Sequence, residues 1–176
     1  MALFRTPVLL ALATLLAASD VPAYFGSIWQ GRDDALFGTL FNQVSPENAG
    51  KWAVTEPTRG SFKWSGLDGM FAMGRKKNLV IKETMFVWGQ QQPTWVNDAN
   101  AKVAVDTWMR AFMTRYPDVD TIEVVNEPLH APAGYRAGLG GAGTTGWDWV
   151  VWTYENARRV APGKQLTIND YHIIDD

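Results

Sequence analysis

The residues best placed to do chemistry are Asn126 and Glu127, which follow directly on the apolar run of TIEVVNEP at positions 121–128. A glutamate can donate or accept a proton, and an asparagine can bind a polar ligand through its amide. Because Pro128 cannot continue a strand ladder, the strand ends here and leaves both side chains at its carboxyl end. Two interpretations stay open at this point: Glu127 is an acid–base residue, or it is a solvated strand-end charge.

Polar side chains also follow two earlier segments that the pattern predicts as strands, at 37–44 and 79–88; they are Glu47, Asn48, Lys51, Trp88 and Gln91. Ser45-Pro46 is typical of a helix N-cap followed by proline in the first helical position, which predicts a helical turn over 46–52. On that turn Glu47 and Lys51 would share a face, and the alternative is a solvated charge pair of small energetic consequence.

The elements that must position these residues alternate between strand and helix. The pattern predicts strands at 24–30, 37–44, 79–88, 121–127 and 166–170, and helices from 65, at 98–116 and at 147–161. This alternation calls for a parallel sheet with helical crossovers, whose strand ends meet at one rim where α/β barrels carry their chemistry. Eight such units need about 250 residues and five need roughly 156. The predicted fold is therefore an α/β fold of the (β/α)8 TIM-barrel type, truncated after about five β/α units.

Composition excludes several classes of function. The formal charge of −2 and the absence of a basic surplus argue against nucleic acid as a partner. There is no cysteine, and His130 and His172 are too few and too far apart for a metal motif, so no metal and no cofactor is predicted. The glycine-rich loop at 134–146 matches no phosphate-binding pattern. The nine tryptophans suit either a core or a surface that stacks on sugar rings.

The N-terminal segment predicts export. After Arg5 comes VLLALATLLAA, an apolar run too short to span a bilayer, followed by small residues. We expect residues 1–19 to be a signal peptide, with a second possible cleavage site near Ala23; the alternative is a buried N-terminal helix. No later apolar stretch could anchor the chain, so residues 20–176 are expected to form a partial catalytic barrel that is secreted, with no membrane partner.

Four ordered motifs carry a family resemblance: FNQVSPENAGKW, FVWGQQQPTW, VVNEP and LTINDY, spread over residues 41–171. In order and spacing they resemble glycoside hydrolase family 10, the endo-1,4-β-xylanases. The resemblance implies a (β/α)8 barrel that hydrolyses the β-1,4 backbone of xylan with retention, using one glutamate as general acid/base and another as nucleophile. Xylan or xylo-oligosaccharide is the implied substrate.

The resemblance assigns roles residue by residue. Glu127 matches the acid/base, and Asn126 matches the asparagine that binds the reacting sugar. Five residues match those that bind the next xylose on the non-reducing side: Glu47, Asn48, Lys51, Trp88 and Gln91. Asn169 matches a position with a structural, supporting role. Glu127 must carry a proton to donate to the leaving oxygen, and partial burial beside a second carboxylate would favour that form. Glu123 points to the same face of the strand as Glu127 but lies four residues, roughly 13 Å, farther from the carboxyl end. This makes it a weak catalytic candidate.

The sequence departs from the family pattern in two ways. Thr84 and Gly89 stand where the family usually has histidines, and Glu83 is a possible replacement for the first. The family takes its nucleophile from the seventh strand, which this chain does not reach, so we expect the nucleophile beyond the end of the chain; Asp170 is the only later strand-end carboxylate. The alternatives are a non-catalytic carbohydrate-binding remnant of the barrel and an inert product. Open sheet edges predict that residues 20–176 aggregate when expressed alone.

Overall fold

A computed structural model describes residues 23–32 and 34–174 of the 176-residue chain. Five strands form one sheet in which every neighbouring pair is parallel and the spatial order follows the chain order. They are β1 (Gly26–Trp29), β2 (Gln43–Pro46), β3 (Val80–Val87), β4 (Thr121–Asn126) and β5 (Gln165–Asn169). This order is that of the first five units of a (β/α)8 barrel, as the sequence predicts.

Helices connect the strands and cover one face of the sheet. They are α1 (Trp52–Thr55), α2 (Ser65–Lys76), α3 (Ala101–Arg115) and α4 (Asp148–Val160), with short 3-10 helices at Asp34–Leu36 and Arg136–Leu139. The sequence spacing predicts buried stripes on α2 and α3, and all of their residues are buried: Leu67, Met70, Phe71 and Gly74 on α2, and Val105, Trp108, Met109 and Phe112 on α3. The stripe predicted for α4, which is Val150, Tyr154, Ala157 and Ala161, is partly wrong. Both alanines are buried, but the helix buries Trp149 and Thr153 more deeply than Val150 and Tyr154.

The segment that ends in Asn126 and Glu127 contains the most buried strand of the sheet. All six residues of β4 are buried, whereas β1 and β5, at the two ends of the sheet, are largely exposed or half-buried. The continuous apolar, β-branched run of the sequence therefore does mark a strand covered on both faces. A strand held in this way gives Asn126 and Glu127 a rigid origin.

Stacked aromatic rings form the centre of the core between the sheet and the helices. Trp108 of α3 is fully buried, and its ring lies nearly parallel to those of Trp52 and Trp64, with centroid distances of 6.0 and 5.9 Å. The Phe62 ring lies nearly parallel to both Trp64 and Trp108, with centroid distances of 4.9 and 6.4 Å. The interpretation of the tryptophans as core residues is confirmed for Trp52 and Trp108, which are buried, with Trp64 half-buried against them. Trp29 and Trp88 are half-buried at strand ends instead.

The segment around β2 differs from the prediction. Ser45 and Pro46 are strand residues, not the start of a helix, and Pro46 pairs in register with Trp29. Proline is tolerated there because it is the last residue of the strand and removes little of the ladder. The helix begins only at Trp52, after Lys51 as its N-cap. Glu47 and Lys51 therefore do not share a helix face.

Exposed apolar side chains mark both outer strands: Ile28 of β1 is 53% exposed and Ile168 of β5 is 55% exposed. Because unpaired strand edges with apolar side chains template intermolecular pairing, we expect residues 20–176 expressed alone to elute as aggregates. Replacing Ile28 and Ile168 together by lysine is expected to raise the soluble fraction, as measured by size-exclusion chromatography. Among the described residues no helix is long and apolar enough to cross a membrane.

Val103→Lys is the matched control, because Val103 is 63% exposed but lies on α3, away from the sheet edges. It should leave the soluble fraction unchanged. A monomeric unmodified chain with a cooperative thermal transition would contradict the prediction, and so would an equal gain from Val103→Lys.

Candidate active site

Glu127 is held in place by its backbone on both sides. Its N–H donates to the carbonyl of Asn169 on β5 at 2.7 Å, and its own carbonyl accepts from the N–H of Ala131 at 2.8 Å. Its φ of +50° lies in the left-handed region, which non-glycine residues adopt at a cost of about 1–3 kcal/mol. Such strain persists only where the surroundings impose it, and it is concentrated at functional sites.

The side chains of Lys51 and Trp88 connect the end of β2 with Glu127. Trp88 Nε1 donates to Glu127 Oε2 at 2.9 Å. Lys51 Nζ lies 5.4 Å from the centroid of the Trp88 ring, within the range of a cation–π contact, and donates to Asn48 Oδ1 at 2.8 Å. Four of the predicted site residues therefore form one continuous chain of contacts across the ends of β2, β3 and β4.

Asn126 is buried beside Glu127 and is oriented by β5. Asn169 Nδ2 donates to Asn126 Oδ1 at 2.7 Å, which occupies the amide oxygen and leaves the amide N–H groups of Asn126 as the donors for a ligand. The supporting role that the sequence suggests for Asn169 thus has a contact to explain it. Asn169→Ala would free the Asn126 amide to rotate.

The remaining two predicted residues lie at the margins of this chain. Gln91 is exposed and has a φ of +47°, and its carbonyl accepts from the N–H of Ala53 at 3.1 Å. Glu47 is half-buried and lies on the far side of Asn48 from Trp88, where it lines a groove towards β1. The structure therefore places all seven predicted site residues along one rim, with Gln91 and Glu47 outside the direct contacts.

The two departures from the family pattern have structural counterparts. A side chain on Gly89 would collide with the carbonyl oxygens of Ala131 and Pro132, and the Gly89 N–H donates to Ala131 at 2.9 Å. The loop after β4 thus packs against the backbone where a histidine would otherwise stand. Thr84 directs its hydroxyl to the carbonyl of Pro46 at 3.3 Å, so it ties β3 to β2.

Glu83 does not replace the missing histidine. It is fully buried, and its carboxyl lies against Gly50, where an added Cβ would collide with it. Within the described part of the chain neither of its oxygens has a hydrogen-bond partner. Burial, together with the nearby carboxylate of Glu123, raises the pKa of Glu83 well above its usual range. A fully buried side chain cannot contact a substrate, so Glu83 belongs to the support beneath the segment from Glu47 to Lys51.

The raised pKa of Glu83 predicts a pH-dependent stability. The folded state keeps a proton that the unfolded state releases above about pH 4.3, so the free energy of unfolding falls as pH rises, by at most about 1.4 kcal/mol per pH unit, until the folded-state pKa is passed. Glu83→Gln removes this slope. We expect the urea midpoint of the variant to exceed that of the parent increasingly between pH 4.5 and 7.5, measured with lysines at positions 28 and 168 for solubility.

Glu155→Gln is the control for this measurement, since Glu155 is exposed on α4. It should leave the pH profile of the urea midpoint parallel to that of the parent. A Glu83→Gln variant that is less stable than the parent by the same amount at every pH would show that Glu83 is not protonated in the fold.

Asp170 fastens the loop after β4 to the end of β5. Its carboxylate accepts from the N–H of Leu129 at 2.8 Å and of Tyr171 at 2.9 Å, and it contacts His130 Nδ1 at 2.6 Å. Burial opposes ionisation, but these hydrogen bonds outweigh it and lower the pKa of Asp170. The His130 ring also stacks on Tyr171. With both oxygens engaged, Asp170 is a structural residue and not a replacement nucleophile, a role that spacing alone did not indicate.

The glycine-rich loop is fastened at several points instead of being unconstrained. Asp148 at the start of α4 accepts from the backbone N–H groups of Thr144 and Thr145, at 2.9 and 3.0 Å. Asp98 accepts from the N–H of Gly138 at 2.9 Å, in a contact too close for any side chain at that glycine. Gln92 likewise accepts from the N–H of Gly134. The loop therefore forms a fixed wall beyond Trp88.

Two further sequence-based expectations concern the signal peptide and metal binding. The predicted signal peptide at 1–19 lies outside the described residues. Within the described ranges no three histidine, cysteine, aspartate or glutamate side chains gather in a way that could hold a metal ion. The seven predicted site residues at the rim supply two carboxyl groups, one ammonium, three amides and an indole ring.

Comparison with known proteins decides the family. The family model described as glycosyl hydrolase family 10 matches residues 16–176. The chain belongs to this family. Endo-1,4-beta-xylanase B of Cellvibrio japonicus (strain Ueda107) is 38% identical over 143 residues, which cover 78% of this chain and 23% of that protein.

Solved structures agree with the fold. A glycosylated endo-beta-1,4-xylanase of this family from Gloeophyllum trabeum superposes with a TM-score of 0.71 at 28% identity, covering 86% of this chain and 52% of that one. A mutant structure in complex with xylotriose superposes with a TM-score of 0.74 at 20% identity, covering 85% and 50%. The chain thus spans about half the length of these structures. The five strands correspond to part of the family 10 barrel.

Proposed function

We propose that this chain forms the acid/base side and the sugar-binding floor of an endo-1,4-β-xylanase that cleaves the xylan backbone with retention. The observation that carries the proposal is the contact between Trp88 Nε1 and Glu127 Oε2, because it joins a ring that can stack on a sugar to a carboxyl that can transfer a proton. Family membership and the xylanase relatives support it. Xylan or xylo-oligosaccharide is the proposed substrate.

Glu127 acts twice in the proposed reaction. Its proton passes to the glycosidic oxygen as the bond from that oxygen to the anomeric carbon breaks, while a second carboxylate about 5–5.5 Å away forms a covalent bond to the same carbon. Glu127 then accepts a proton from water as the water oxygen displaces that carboxylate. The second carboxylate must come from a part of the barrel outside these five strands, because Asp170 is engaged by its own loop.

The other rim residues bind the sugars on the non-reducing side of the bond that is cleaved. Xylan is uncharged and rich in hydroxyl groups, so donors and acceptors are needed without a large net charge. The Lys51 ammonium and the Asn48 amide supply donors beside the Trp88 ring, and the Asn126 amide lies next to the acid/base. Gln91 and Glu47 extend this surface on either side.

A second candidate function is carbohydrate binding without turnover. It is favoured by one observation: in the described part of the chain the sugar-binding side chains are assembled, whereas the only later strand-end carboxylate is occupied by Leu129, His130 and Tyr171. The two candidates share the same rim and differ only in whether a second carboxylate completes it.

Export is part of the proposal and rests on the apolar segment that follows Arg5. N-terminal sequencing of the protein recovered from the medium or periplasm of an expressing cell tests it. A start at Asp20 or Tyr24 supports cleavage at one of the two sites, and a protein that keeps Met1 and stays inside the cell refutes export.

Calorimetric titration of xylotriose into the chain that carries Ile28→Lys and Ile168→Lys for solubility tests the binding function, since binding needs no nucleophile. We expect saturable binding that Trp88→Ala weakens at least about ten-fold, through loss of ring stacking and of the Glu127 contact. Trp152→Ala is the control, because Trp152 is half-buried against Lys102 on the helix side of the fold. Absence of binding, or equal losses in both variants, would contradict the proposal.

A further inference from the structure

The rim continues past the predicted site residues towards β1 as a groove of about 400 Å³. We call it the β1 groove; its lining residues are Trp29, Gln30, Gly31, Glu47, Asn48, Ala49, Ser65 and Gly66. Two of them, Glu47 and Asn48, are also on the proposed sugar-binding surface. The β1 groove therefore opens directly from that surface and is not a separate cavity.

Trp29 is fixed in this groove by its neighbours. It is the last residue of β1, it pairs with Pro46, and its carbonyl accepts from the N–H of Glu47 at 3.3 Å. The edge of its ring lies over Gly69 of α2, where an added Cβ would be only 3.1 Å from the ring. Because Gly69 leaves room, the ring is seated against the helix while remaining half-buried. A pre-positioned aromatic side chain of this kind suits stacking on a flat apolar face.

The position of Trp29 along the rim suits a long ligand. Glu127 follows β4 and Trp29 ends β1, so three strand spacings, on the order of 14 Å, separate the two positions across the sheet. Trp88, directly after β3, and Lys51, after β2, lie between them. A chain of pyranose rings that starts at Glu127 and follows these contacts reaches Trp29.

The polar groups of the β1 groove indicate the chemistry of the ring it would hold. The exposed Gln30 amide oxygen accepts a hydrogen bond from Arg32 at 3.2 Å, so the amide N–H groups stay as donors for a ligand. The Asn48 amide is also exposed in this groove. The carboxylate of Glu47 disfavours an acidic sugar but accepts well from hydroxyl groups. The groove thus matches a neutral, hydroxyl-rich ring.

We propose that Trp29 and Gln30 form an additional binding site for a neutral sugar of the xylan chain, one position farther from the cleavage point than the site at Lys51 and Trp88. This inference rests on the proposed function, because it requires the substrate chain to run along the rim. It makes Trp29 a determinant of the chain length that the protein prefers.

Titration of the chain that carries Ile28→Lys and Ile168→Lys with xylobiose and with xylotriose tests the site. We expect xylotriose to bind on the order of ten-fold more tightly than xylobiose. Trp29→Ala should abolish this gain while leaving the xylobiose affinity within about two-fold, and Trp152→Ala should preserve it. Circular dichroism checks that each variant is folded, and if Trp29→Ala is not, Gln30→Ala decides, with a loss confined to xylotriose expected.

The outcomes separate this site from the proposed function. Equal affinities for the two oligosaccharides, or a Trp29→Ala loss that is the same for both, would overturn the additional site while leaving xylan binding intact. No change in Gln30→Ala, where that variant decides, would overturn it as well. Failure of the folded, soluble parent chain with Ile28→Lys and Ile168→Lys to bind either oligosaccharide would refute the proposed function and the additional site together.

Discussion

Glu127→Gln is expected to lower the rate of xylan hydrolysis by about 10²–10⁴-fold, the range typical of losing a general acid/base. Glutamine keeps an oxygen that can accept from Trp88 Nε1, so the geometry at the end of β4 should be preserved. It cannot transfer a proton to the leaving oxygen. The measurement is reducing-end release from xylan by the chain joined to the barrel strands that contribute the second carboxylate, since retention needs both groups.

Two comparisons give this prediction its specificity. An aryl xylobioside whose leaving group needs no proton should keep most of its kcat/KM in Glu127→Gln, because kcat/KM reports the first bond cleavage, whereas its kcat should fall because water then lacks a base. The affinity for xylotriose should change by no more than a few-fold. Glu155→Gln, an exposed change on α4, should leave all rates unaltered. An equal loss of kcat/KM on xylan and on the aryl xylobioside, or a loss confined to affinity, would contradict the acid/base role.

Trp108→Ala is expected to cost about 3–5 kcal/mol of folding free energy, as for other buried aromatic residues. Its ring has no exposed surface and lies between Trp52 and Trp64 in the aromatic stack. Since whole domains are stable by only about 5–15 kcal/mol, this change should leave a large unfolded fraction. The measurement is the shift of the urea midpoint, again with lysines at positions 28 and 168 for solubility.

The aromatic stack also predicts how graded changes behave. The Trp108 indole N–H has no hydrogen-bond partner among the described residues, so Trp108→Phe loses volume but no hydrogen bond and should cost far less than Trp108→Ala. Trp152→Ala, at a half-buried position, should cost on the order of 1 kcal/mol. Similar midpoint shifts for Trp108→Ala and Trp152→Ala would show that the stack is not the centre of the core.

Local patterns in the sequence were enough to predict the barrel units. The buried run before Glu127 identified β4, and the apolar spacing in α2 and α3 identified the faces that pack. Ser45-Pro46 misled because a strand that ends on proline and a helix that begins with it share the same dipeptide. Only pairing with Trp29 on β1 decides between them, and that contact is not local.

The site was predicted as a set of residues but not as a chain of contacts. The bond from Trp88 to Glu127 joins residues 39 positions apart, and nothing in either motif specifies it. The burial of Glu83 and the close approach of Gly89 to Ala131 depend on how neighbouring loops pack. Asp170 was noticed as a strand-end carboxylate, but its engagement with His130 appears only when β4 and β5 lie side by side.

A crystal structure of the Glu127→Gln variant with xylotetraose tests the acid/base assignment most directly. We expect a glycosidic or anomeric oxygen within about 2.6–3.2 Å of the side chain at position 127, the distance required for proton transfer, with the adjoining ring beside Trp88 and Lys51. A sugar chain bound away from the ends of β2, β3 and β4, or one that passes the rim without approaching position 127, would contradict the account.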